Sequence, residues 1–281
     1  MTFDKLFDAH SVKVTLTGDT YWAIDEEIRM IFQNKSDIKY IFRCLDYNKV
    51  FDDKSDYNYD NVPTYLYDDN PWNDVQYLFN KDVFIDNTLG VVKYTLHGQK
   101  MPDMDQYSSW AADHPVGKDY VLQNYSAPAR CEDQKEFTEK EAEIVRHNVE
   151  ENVLDMVKAH PETTFYFYTP PYSALWWYKT KCSGNLKRYF QAEQLQAELL
   201  LQYDNVKLFS FTDLFDLTCD LDNYKDDTHY SEQISADIMD WIHDGTYQMT
   251  EANYKSRIEN MTDYYLHYNY SKSGIPLAQE N

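Results

Sequence analysis

The chain has 281 residues, 43% of them hydrophobic, which is enough for a substantial core and excludes a disordered chain. A formal net charge of -22 argues against nucleic-acid partners, whose phosphates need a basic face, and against docking on an anionic membrane surface. No apolar run approaches the roughly 18 residues that span a bilayer, and Met1 is not followed by a signal peptide, so the sequence predicts a soluble chain with no membrane segment.

Val12-Lys-Val-Thr-Leu16 is β-branched and closed by Gly18, which predicts a first strand. From Thr20 to Phe32 the apolar positions Trp22, Ile24, Ile28, Ile31 and Phe32 form a helical stripe. Ile38–Phe42 reads as the next strand, so a right-handed parallel crossover is expected here. Residues 47–135 break the rhythm: they are rich in Asp, Asn, Tyr and Pro, and we read them as an insertion with short helices, one near Trp72–Asn80, folding over the sheet as a lid or cap.

Regularity returns at Thr138-Glu-Lys-Glu141, a capping-box pattern opening a long helix with Ile144, Val145, Val149, Val153, Met156 and Val157 on its apolar face. That helix should end near His160-Pro161. Thr163–Tyr168 follows as a strand stopped by Pro170-Pro171, then a helix from about Gly184 to Gln202, then the strand Val206–Phe211. Ser231–His243 reads as a helix, and residues 250–281 form a Tyr-rich tail with a helix over Glu251–Tyr265. Strands alternating with helices predict one doubly wound α/β domain over 1–281, with the insertion inside it.

Cys44, Cys131, Cys182 and Cys219 form no CxxC pair, which excludes the usual zinc patterns and demands no disulfide framework. His97, His114, His147 and His160 lack metal-ligand spacing. Asp68, Asp69, Asn70 and Asp74 have oxygen donors suited to calcium but neither the spacing nor the Gly of an EF-hand, and read as a solvated, helix-capping turn. No cofactor is expected. The 26 Tyr, 14 Phe and 6 Trp predict many partly exposed tyrosines, since each buried hydroxyl needs a partner.

The chemistry concentrates in Asn223-Tyr-Lys-Asp-Asp-Thr-His-Tyr-Ser231, between the last strand and the following helix. Loops of this kind lie at the carboxyl ends of parallel strands, where ligands bind. Asp226 and His229 supply an acid that orients an imidazole and an imidazole that removes a proton, two-thirds of a serine-hydrolase triad. The bland alternative is that the pair pins a loop onto a helix start, where Asp is favourable by itself. Trp176 and Trp177, past Pro170-Pro171, are read with Tyr172 as a substrate groove; part core, part surface is the competing reading. Ser173 lies in the same loop but lacks the strand-turn-helix elbow of a nucleophile.

Pro170-Pro-Tyr-Ser-Ala-Leu-Trp-Trp177, Asn205-Val-Lys-Leu-Phe-Ser210, Asn223–Tyr230 and Tyr65-Leu-Tyr-Asp-Asp-Asn-Pro71 together give the chain a resemblance to the SGNH/GDSL-like hydrolases, especially a poorly characterised bacterial branch with a long insertion. The resemblance implies a flavodoxin-like three-layer parallel sheet and an esterase or acyltransferase with His229 as general base and Asp226 orienting it. It implies an oxyanion-hole N–H from Gly18, which otherwise reads as a strand-to-helix turn residue. The family's Gly-x-Ser block is not found before Gly18, and Ser11 enters the predicted strand instead of leaving it. Asp46 stands where the family has an oxyanion Asn; Asn48 is the nearby amide, at the wrong spacing. The implied substrate is an ester of a cell-envelope glycan or polymer, on a protein anchored outside the cytoplasm whose serine block precedes this chain. A catalytically inactive carbohydrate-binding or scaffolding module is the alternative.

Overall fold

The computed structural model describes residues 2–14, 19–34, 37–52, 65, 70–81, 84–85, 88–98 and 114–278. The chain divides into two compact units: one comprises residues 1–11, 16–54 and 111–281, the other residues 12–15 and 55–110. Residues 47–54 and 111–135, read from sequence as insertion, therefore belong to the larger unit.

In chain order the elements are α1 (Thr2–Phe7), α2 (Tyr21–Asn34), β1 (Tyr40–Cys44), α3 (Val75–Leu78), α4 (Leu89–Leu96), α5 (Lys118–Gln123), α6 (Glu139–Val149), α7 (Asp155–Ala159), β2 (Thr164–Thr169), α8 (Ala174–Cys182), α9 (Leu186–Leu200), β3 (Val206–Ser210), α10 (Phe215–Thr218), α11 (Glu232–Asp244), β4 (Gln248–Met249) and α12 (Tyr254–His267). The smaller unit contributes α3 and α4; the helix expected over Trp72–Asn80 is realised as a turn followed by α3.

Four strands of the larger unit form a mixed sheet in the order β1-β2-β3-β4, with β1, β2 and β3 parallel and β4 antiparallel to β3. The alternation along β2 fixes its two faces. Phe165 and Phe167 enter the larger core, which α6, α8, α9 and α12 complete through Val145, Val149, Trp177, Phe190, Met261 and Tyr265. Tyr166 and Tyr168 turn to the other face, where Phe209, Phe211, Ile234, Ile238 and Ile242 pack with Phe7 and Phe42. Helices thus cover both faces of the sheet.

Two elements depart from the sequence reading. Val12–Leu16 forms no strand over its described part: residues 12–14 carry no regular structure, Val12 is 80% exposed, and the rest of the run lies outside the described residues. The crossover expected from it to β1 is therefore not formed there. β-branched residues favour a pleated surface only where a neighbouring strand completes the ladder, and among the described residues β1 pairs with β2 alone. The fourth strand is instead β4, too short to carry a pattern.

The capping box is present as read, with Thr138 Oγ1 accepting from Glu141 N–H at 3.3 Å and Glu141 accepting from Thr138 N–H at 2.9 Å. Between α6 and α7 the helix widens into a π turn over Glu150–Leu154, which leaves a carbonyl for an outside donor. Arg43, buried on β1, takes it, donating to Asn152 O at 2.7 Å. No helix among the described residues is long and apolar enough to cross a membrane.

Candidate active site

Three parallel strands end on one edge of the sheet, and the site is built from the loops that leave them. After β2, Pro170 and Pro171 offer no N–H to a ladder and end the strand. Their carbonyls are taken from outside: Thr212 Oγ1, just beyond β3, donates to Pro170 O at 3.2 Å, and Tyr224 Oη donates to Pro171 O at 2.6 Å. Tyr224 opens the loop that carries Asp226 and His229.

That loop is a small antiparallel hairpin. Tyr224 and Tyr230 form an isolated bridge, Lys225 N–H donates to His229 O at 2.8 Å, and Ser231 N–H donates to Asn223 O at 2.9 Å. At its tip Asp226 Oδ1 accepts from the backbone N–H groups of Thr228 (2.8 Å) and His229 (2.7 Å), the Asx-type turn that Asp side chains favour. Asp226 Oδ2 meets His229 Nδ1 at 2.6 Å. Ser231 then caps α11, its Oγ accepting from Ile234 N–H.

The electrostatics are mutual. Burial works to raise the Asp226 carboxyl, but hydrogen bonds from the His229 side chain and from the two backbone N–H groups prevail and hold it down at about 2. The Asp226 hydrogen bond raises His229 above its ordinary value, partial burial opposes this, and the charges of Asp226 and Asp227 add to the rise. A carboxylate at Nδ1 places the imidazole proton there and leaves Nε2 as the basic nitrogen. The carboxylate and the imidazole lie half exposed at the sheet edge.

The other residues singled out in the sequence fare differently. Trp177 lines no groove: it is fully buried, stacked against Phe190 at 4.6 Å and against Tyr265 at 4.7 Å. Trp176 is partly buried against Tyr172 at 4.8 Å and Tyr47 at 5.6 Å. Tyr172 donates its hydroxyl to Asp46, and burial together with that carboxylate raises it far above its ordinary value, so it stays a donor. Asn48 starts a 3-10 turn, Lys49–Phe51, with its side chain exposed and no cap bond. Gly18 lies outside the described residues, as do Asp68 and Asp69.

Several serine hydroxyls are committed elsewhere. Ser173 Oγ donates to Asp227 O at 2.8 Å, Ser210 Oγ faces Glu193 at 3.4 Å, and Ser11 Oγ donates to Asp4 at 2.6 Å. An open cleft lined by Lys118, Phe215, Cys219, Tyr264 and Tyr268 contains neither dyad residue. Sequence reading missed the contacts that hold the hairpin, and it missed the Cys131–Cys182 disulfide, whose partners are 51 residues apart and meet only through the fold. Comparison with protein-family models, with curated proteins and with solved structures found no match.

Proposed function

We propose that the chain carries the base-and-acid half of an SGNH-type ester hydrolase or acyltransferase, built on a flavodoxin-like sheet. The observation that carries this reading is the 2.6 Å contact between His229 Nδ1 and Asp226 Oδ2 at the carboxyl edge of parallel strands. In such an enzyme His229 Nε2 takes the proton of a hydroxyl as its oxygen attacks the ester carbonyl. The tetrahedral intermediate collapses, the C–O bond to the leaving alcohol breaks, and the same proton goes to that alcohol. Asp226 stabilises the imidazolium in between. The reading assigns the base and its orienting carboxylate and no nucleophile.

The substrate class follows from the family resemblance: an ester on a cell-envelope glycan or polymer, met outside the cytoplasm. The Cys131–Cys182 disulfide supports an oxidising compartment. Trp176 and Tyr172 remain the aromatic surface offered to a sugar. Substituting His229→Ala should abolish turnover of a nitrophenyl ester while leaving the fold intact by circular dichroism; unchanged turnover sinks the reading.

A second reading is favoured by the committed hydroxyls of Ser173, Ser210 and Ser11: an inactive module that binds glycan. A fluorophosphonate probe separates the two, because it labels only an activated serine. Labelling lost in the His229→Ala variant supports the enzyme; no labelling together with glycan binding supports the module.

A further inference from the structure

We infer that Ser173 and Lys179, the first residue before α8 and a residue of its last turns, are positioning residues that hold the Asp226/His229 hairpin in place through Asp227. The inference rests on the reading of that pair as a functional acid-base unit.

The geometry is specific. Ser173 stands at the N-cap position of α8 with the extended backbone that a capping residue adopts, φ -68° and ψ 162°. A serine there ordinarily turns its hydroxyl back onto the first free N–H groups of its own helix. Ser173 makes no such bond. Its Oγ donates across to Asp227 O at 2.8 Å, and its backbone N–H donates to the same carbonyl at 3.2 Å. Ser231, at the equivalent position of α11, caps its own helix in the ordinary way. Six residues further along α8, Lys179 Nζ reaches Asp227 Oδ2 at 2.7 Å, with the Tyr125 ring 5.2 Å from the ammonium. One helix therefore grips both the carbonyl and the carboxylate of the residue next to Asp226.

The hairpin needs that grip. A two-stranded hairpin is marginal in water by itself. Fixing each backbone residue costs about 1–2 kcal/mol of entropy, about what a single hydrogen bond returns at best. The Asp226–His229 contact lies at a half-exposed tip, so it persists only if the hairpin's base and side are held by the rest of the fold. Tyr224 holds the base through Pro171; Asp227 holds the side.

A direct electrostatic effect of Lys179 has the opposite sign to a positioning effect, which makes the two separable. The charged groups acting on His229 include Asp226, Asp227 and Lys225. Removing the Lys179 cation leaves the Asp227 carboxylate less compensated and favours the charged imidazole, raising its titration midpoint. Loss of positioning lengthens the Asp226 contact and lowers it.

The test is an NMR pH titration of the His229 imidazole in the full chain, assigned by its absence in His229→Gln, for wild type, Ser173→Ala, Lys179→Met, Lys179→Arg and the Ser173→Ala/Lys179→Met pair. The expected result is a midpoint lowered by about one pH unit in the double variant, a smaller fall in each single variant, and a wild-type midpoint in Lys179→Arg. An unchanged or raised midpoint in the folded double variant overturns the inference. Should the double variant not fold, Ser173→Ala decides alone, by the same sign. The titration requires neither substrate nor nucleophile, so a failed fluorophosphonate experiment counts against the enzyme reading and leaves the clasp untouched.

Discussion

Glu193 gives the sharpest physical expectation. It lies on α9, 3% exposed, beneath the ends of β2 and β3. Its Oε1 accepts from Thr169 Oγ1 at 3.0 Å and from Ser210 Oγ at 3.4 Å, while Oε2 is buried with no hydrogen-bond partner. Burial pushes the carboxyl from its ordinary 4.5 up to about 7, against the pull of Thr169 and of the Arg257 charge. Between those values the folded chain keeps a proton that the unfolded chain releases, so this group's contribution to stability is complete below pH 4.5 and is lost as the pH rises through about 7. The interval corresponds to about 3 kcal/mol, an upper figure for one fully buried group. Glu193→Gln keeps the shape, matches the neutral form and removes the titration. Its stability relative to wild type should therefore improve by about 2 kcal/mol between pH 5 and pH 8. Urea unfolding of both proteins at several pH values, followed by tryptophan fluorescence, measures that difference and cancels every other titrating group. Parallel stability curves across the window would refute the reasoning, because Glu193 would then be ionised in the folded state at no cost.

Asp226→Asn removes the largest influence raising His229, so the imidazole midpoint should fall; an unchanged NMR titration would mean that the contact is not held in solution. Arg257 donates to both oxygens of Asp213 at 2.7 Å and to the carbonyls of Ser210 at 2.9 Å and Tyr247 at 2.8 Å, tying α12 to the far end of β3. Arg257→Ala should cost about 3 kcal/mol in urea unfolding, because it leaves a largely buried carboxylate uncompensated, whereas an exposed pair such as Arg146 and Glu139 should cost under about 1 kcal/mol. Gly184 follows α8 at φ +74°, where a Cβ would lie 2.4 Å from Asp133 O, so Gly184→Ala should lower the thermal midpoint by several degrees, equivalent to at least about 1 kcal/mol.

The sequence reveals elements wherever a periodic pattern and its punctuation agree. Thr138 and Glu141 mark the start of α6 because a capping box is a local chemical arrangement, complete within four residues. The prolines at 170 and 171 end β2 for an equally local reason. The Asp226/His229 pair is legible too, since a turn closed by an Asp side chain needs only its own neighbours. What the sequence hides is decided at a distance. In α8 the residues Ala174, Leu175, Trp177, Tyr178, Thr180 and Cys182 are buried, which leaves a narrow polar side at Lys179 and Lys181 and a weak 3.6-residue rhythm, so the sequence offers Trp177 to a groove although it is core. The run Val12–Leu16 has every strand preference and no partner strand along its described part. Ser173 reads only as a poor nucleophile candidate in a loop until Asp227 is seen beside it.

Most of the described tyrosines are partly exposed, as the sequence predicts, and the buried remainder has a structural account. Tyr21, Tyr47, Tyr224 and Tyr265 are among the most buried side chains of the chain. Each hydroxyl finds a partner inside: Tyr21 with Gln196 at 2.7 Å, Tyr47 with Thr212 Oγ1 at 2.6 Å, Tyr224 with Pro171 O at 2.6 Å and Tyr265 with Thr212 O at 2.8 Å. A tyrosine used this way fills the core like phenylalanine and still satisfies a loop carbonyl that no strand or helix can reach. Three of these ties converge on Pro171 and Thr212, where β2 and β3 leave the sheet, and Tyr172 adds a fourth to Asp46 after β1. Loops at that edge are thereby fixed from beneath, where water does not compete for the hydrogen bonds. The hairpin bearing Asp226 and His229 can stay half exposed because Tyr224 roots it in the core while its tip remains in solvent.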